Sequence, residues 1–163
     1  MKKFDNKKGV SALIATVLII GITIAAFGLV YSFIMPLIRE GISTSQSCAD
    51  AQITIVTEKG YTCDNNTAVP KKLNVQVSRG PKNTTISGIQ IIYSEAGNSY
   101  IETIDVAQSG NELRPNSEKV YILDYTASGF SNIDFSAVAA VIELGNSEHV
   151  CNPSPEVSIE PCA

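Results

Sequence analysis

The sequence predicts an α+β protein: a long N-terminal apolar helix followed by a small antiparallel β-sandwich. Three observations carry this. Residues 10–38 form a run of 29 residues without a charged side chain. Beyond residue 43 the composition turns to Ser, Thr, Asn, Ile and Val, in short runs punctuated by turn residues. Charge is also segregated, with four Lys and one Asp in residues 1–9 but 8 basic and 15 acidic side chains after Gly9. The chain thus divides into a basic head (1–9), an apolar helix (10–42) and an acidic body (43–163).

The whole chain has 163 residues, a net charge of −4, no Trp and the single histidine His149. An acidic balance argues against nucleic acid as a partner, which calls for a basic face. One histidine leaves little material for imidazole catalysis or a multi-His metal site.

As a helix, Val10–Ile38 would be about 43 Å long, against roughly 30 Å of hydrocarbon to cross. Lys2, Lys3, Lys7 and Lys8 precede it, whereas Arg39 and Glu40 cancel behind it. The excess of positive charge keeps the N-terminus cytoplasmic and sends the body outside. A cleaved secretory signal has an apolar region of about 7–15 residues closed by small residues, and neither feature is present. Gly21, Ala25, Gly28 and Ser32 fall on one narrow stripe, where small side chains let neighbouring helices approach closely. Pro36 lacks an amide hydrogen, so a kink or an end is expected near Tyr31–Met35, with Gly41 as a later stop.

The order Lys7-Lys8-Gly9, then Val10-Ser11-Ala12-Leu13-Ile14-Ala15-Thr16-Val17-Leu18, resembles the class III signal of archaeal type IV pilins and archaellins. The resemblance implies cleavage at Gly9–Val10 by a membrane prepilin peptidase, with Lys7 and Lys8 as the charged residues before the glycine. It also implies a retained helix that packs in a helical filament of identical subunits, extracted from the membrane by an assembly ATPase and a platform protein. The precursor is then a cell-membrane protein and the product an extracellular filament. The fifth mature position is Ile14, where bacterial pilins carry Glu, which favours the archaeal pilin branch.

In the body, Leu73–Val77 alternates clearly. Ala51–Thr57, Ile86–Ser94, Tyr100–Ala107, Lys119–Tyr125 and Phe135–Leu144 are further strand candidates, with a short last one at Glu148–Cys151. Phe135–Leu144 also reads as a helix through its alanines, but Val138, Val141 and Ile142 favour a strand. Arg79-Gly80-Pro81, Ala96-Gly97-Asn98 and Arg114-Pro115-Asn116 mark turns. The spacing of Leu73–Ser94 and the turn before Val120–Leu123 resemble immunoglobulin-like domains of archaeal surface filament subunits.

The four cysteines are an even count in an extracytoplasmic body, so two disulfides are expected. Of three possible pairings, Cys48–Cys63 and Cys151–Cys162 close the shortest loops. A zinc site lacks its C-x-x-C spacing. Asn65 and Asn83 head N-glycosylation sequons, the latter in the cleaner turn. No phosphate loop, nucleophile elbow or metal motif occurs, so no catalytic site, cofactor or metal is expected. Two other functions use the same anchor: a surface solute-binding module with a class III signal, and an uncleaved single-span β-domain.

Overall fold

The computed structural model describes residues 7–145 and 147–162, with side chains described from Leu13 onward. It separates into two compact units, Met1–Ser43 and Thr44–Ala163. Residues 1–6 of the expected basic head lie outside the described residues.

One helix, α1 (Lys7–Ala51), supplies the first unit and enters the second. It is 45 residues long and passes through Pro36 and Gly41, so the helix ends at neither of the two expected places. Proline removes one hydrogen bond, to the Ser32 carbonyl, and long apolar turns on either side hold the helix across that gap. α1 ends instead where Gln52 turns to φ +36°, a left-handed stop. Gly80 donates its backbone N–H to the Gln52 carbonyl at 3.0 Å. A Cβ at Gly80 would stand 2.9 Å from the Gln52 Cβ, so only glycine permits this approach.

The second unit contains two antiparallel sheets. In the first, β3 (Lys72–Arg79) is central. β6 (Glu118–Asp124) lies along one edge of it, while β1 (Ile53–Ile55) and β2 (Cys63–Asn65) share the other. In the second, β4 (Ile86–Glu95) lies between β5 (Asn98–Asp105) and β7 (Phe135–Leu144). The far edge of β7 takes β8 (Ser147–Val150) and then β9 (Val157–Ser158). Between those two, the Cys151 and Ser154 amides donate to the Ala140 and Val138 carbonyls. Each of the seven expected runs thus overlaps a strand, but Ala51 closes the helix, so the strand in the first run starts at Ile53.

Alternation builds the core. Leu73, Val75 and Val77 of β3 meet Ile89, Ile91 and Tyr93 of β4, Val138, Ala140 and Ile142 of β7, and Leu123 of β6 in one buried cluster. Each large side chain buried there contributes about 1.5–3 kcal/mol of transfer free energy. Ser136–Ile142 is buried without alternation because β7 is an interior strand, flanked on both edges and covered by neighbours.

The cysteines pair as Cys48–Cys151 and Cys63–Cys162, with Cα separations of 5.4 and 4.9 Å, which corrects both expected pairs. Strand register outweighs loop length here. The tail pairs with β2, Asp64 N–H to Glu160 carbonyl and Cys162 N–H to Asp64 carbonyl, both at 2.9 Å, and this brings Cys162 beside Cys63. The run along the edge of β7 likewise carries Cys151 to Cys48.

Candidate functional site

The backbone of Lys7, Lys8, Gly9 and Val10 forms the start of α1. Their side chains lie outside the described residues. From Leu13 to Ile38 the helix is apolar on every side and long enough to cross a membrane. Its large side chains are open to their surroundings: Leu13 is 67% exposed, Phe27 71% and Leu37 69%. The threonine and serine hydroxyls on this stretch turn inward. Thr16, Thr23 and Ser32 each donate to the carbonyl three residues earlier, at 2.8–2.9 Å. A donor satisfied within its own helix costs little in an apolar medium.

Gly21, Ala25, Gly28 and Ser32 are all exposed. A Cβ placed on Gly21 or Gly28 would meet nothing within 4 Å. Larger side chains there would not clash with this chain, so any effect they have must come through a neighbour.

In the body, the sequon residue Asn83 is exposed in the β3–β4 loop. Arg79, itself buried, steadies that loop by donating to the Leu113 carbonyl at 2.8 Å and to the Thr84 carbonyl. Asn65 is half-buried at the end of β2, and its Oδ1 accepts from the Thr67 hydroxyl at 3.2 Å. The two sequons therefore differ in accessibility.

One buried polar pair was not legible in the sequence. The Asp64 carboxylate accepts from the Tyr125 hydroxyl at 2.6 Å and from the Ile133 amide at 3.1 Å. It joins β2 to the chain between β6 and β7. Burial, followed by the Asp64 hydrogen bond, pushes the Tyr125 phenol well above its ordinary range, so it stays a donor.

Glu102 of β5 is half-buried. Burial raises its pKa, and the nearby Asp124 charge raises it further. An acid with a raised pKa holds its proton more tightly when folded. Stability is therefore complete at low pH and falls as pH rises past the ordinary value of 4.5. Glu102→Gln should remove this decline, so melting curves of the two proteins should diverge above that pH, with the variant the more stable.

A cleft of about 630 Å³ is lined by Glu58, Glu156, Glu160 and small polar residues around β2 and β9. No group of three or more His, Cys, Asp or Glu that could hold a metal occurs among the described residues. Comparison with protein-family models, curated proteins and solved structures gives no match to this chain.

Proposed function

We propose that this chain is the precursor of a structural filament subunit, similar to archaeal type IV pilins. It is cut after Gly9, held in the cell membrane by α1 with its N-terminus cytoplasmic, and then assembled into an extracellular filament. One observation carries the reading: a 26-residue apolar stretch, Leu13–Ile38, exposed at every position but Met35, with its threonine and serine hydroxyls satisfied internally. Such a surface requires lipid or other apolar helices around it. Lipid and a bundle of helices are similarly apolar, so moving between them gains through packing, which small residues permit.

The body is read as an immunoglobulin-like sandwich displayed on the filament surface. Its strand order supports this: β3 pairs with β6 in one sheet while their successors β4 and β7 pair in the other. The two disulfides fit an oxidising exterior. By the same resemblance, a prepilin peptidase, an assembly ATPase and a platform protein are its partners.

Gly21→Leu combined with Gly28→Leu tests the packing stripe. Membrane insertion should be unchanged, because neither side chain meets anything in this chain. Filament recovered by shearing cells should fall several-fold. Normal filament yield would remove the stripe from the interface.

A further inference from the structure

Among the described residues, one guanidinium is buried without a counter-charge. Alternation along β3 puts Arg79 on the same face as the core residues Leu73, Val75 and Val77. The strand ends there, and the Arg79 amide donates to the Ser117 carbonyl at 3.0 Å. The side chain is 8% exposed. Its terminal nitrogens donate to the carbonyls of Leu113 at 2.8 Å, of Thr84, and of Lys82 at 3.5 Å. A carbonyl accepts a hydrogen bond but carries no net charge.

Two deficits remain. The Arg79 Nε is buried and has no acceptor among the described residues. The ion pairs among those residues use Lys59 and Arg114, not Arg79. Burial lowers the Arg79 pKa, with no carboxylate nearby to hold it up. Charged side chains are almost never fully buried unless paired, because an uncompensated buried charge is strongly destabilising. An oxyanion seated against the guanidinium would supply both the charge and the acceptor.

There is room for one. Arg79 lines a cavity of about 280 Å³ that the β3–β4 loop (80–85) and the β5–β6 loop (106–117) share. Asn83, Thr84 and Thr85 enter it from the first loop, Glu112 and Arg114 from the second. Asn83 and Thr85 are exposed and Thr84 half-buried, and their side chains hydrogen-bond to no other described residue. Their amide and hydroxyl groups can therefore turn as donors toward a bound group. Arg114 contacts Glu112 at 3.2 Å, with the two side chains 76% and 64% exposed. So exposed a pair is weak, and Arg114 can leave it readily.

We propose that this cavity binds an oxyanion, either a carboxylate or a phosphate group, between Arg79 and Arg114. Guanidinium donors lie in one plane and match the oxygens of both groups, which makes arginine the usual partner of each. Glu112 is the opposing charge: it repels the ligand and competes with it for Arg114. A bound oxyanion would join the two loops that Arg79 already links through Thr84 and Leu113. The site is built by the body alone, so it holds whether or not the chain forms filaments.

A titration of the full chain, isotopically labelled and held in an uncharged maltoside micelle, tests this by nuclear magnetic resonance. Inorganic phosphate and acetate are added separately, with sodium chloride keeping the ionic strength constant. Saturable shifts are expected in the amide signals of residues 83–86 and 112–114. Saturation by phosphate alone assigns a tetrahedral ligand, and by acetate alone a planar one. Glu112→Gln should tighten binding several-fold and Arg114→Gln should weaken it several-fold. Both side chains are exposed, so neither change should disturb the fold. Arg79→Lys keeps the charge but loses the planar donors, and should abolish saturation. Should that variant fail to fold, the two exposed variants decide the matter. Shifts that never saturate, that spread over the whole body, or that ignore both Glu112→Gln and Arg114→Gln would each overturn the proposal.

Discussion

Reducing both disulfides is expected to destabilise the body by several kcal/mol. Each cross-link closes a long segment, with sequence separations of 103 and 99 residues. The chain-entropy model gives about 4.7 kcal/mol for a loop of about 100 residues. The two loops interleave, because Cys63 lies inside the first and Cys162 outside it, so the second closure acts on a chain already constrained. The combined loss should therefore be less than twice the single value. Denaturant unfolding of the full chain with and without a thiol reductant measures it. Cys63→Ser with Cys162→Ser should cost about 3–5 kcal/mol alone and should release the tail from β2. Peptides mapped without reduction would link Cys48 to Cys151. A Cys48–Cys63 peptide, with a loss nearer the 3 kcal/mol of a loop of about 15 residues, would contradict the register described here.

The second large effect is expected at Asp64. Asp64→Ala leaves the Tyr125 hydroxyl and the Ile133 amide without their acceptor in a buried site. Leaving a buried donor unsatisfied costs about 1–3 kcal/mol, and hydrogen bonds to a charged group sit at the upper end. A loss of about 3 kcal/mol or more follows, and Tyr125→Phe should cost about half as much. The same phenol gives a test by pH. Burial raises Tyr93, Tyr121 and Tyr125, with Tyr121 pushed up to about 12. These groups hold their protons in the folded state after the unfolded chain has released them. Stability is then complete below the ordinary tyrosine value of 10 and falls as pH rises beyond it. In Tyr125→Phe this alkaline decline should be shallower.

The parts of the fold legible in the sequence are those written in local periodicity. Phe135–Leu144 is a strand with the bounds its β-branched residues indicated, and Ile86–Ser94 falls short of β4 by one residue. The uncharged run gave the helix. Its end was not legible, because the cost of Pro36 is local while the helix around it is long, and because Gln52 stops it through a contact with Gly80. β2 and β9 are too short to show a period and exist because longer elements offer them an edge. The disulfides were misassigned by the same logic, since loop length is local and register is not. Of the candidate surfaces, the stripe at Gly21, Ala25, Gly28 and Ser32 could be read from spacing alone. The buried Asp64–Tyr125 pair could not, because the two residues meet only when β2 comes beside the chain that follows β6.

The most direct test of the filament reading is the N-terminal residue of the native protein, read by mass spectrometry in membrane and sheared surface fractions. A filament subunit yields a chain beginning at Val10, enriched in the sheared fraction, with the Met1–Gly9 form confined to membranes. A chain that keeps Met1–Gly9 and never leaves the membrane would contradict it and leave an anchored β-domain.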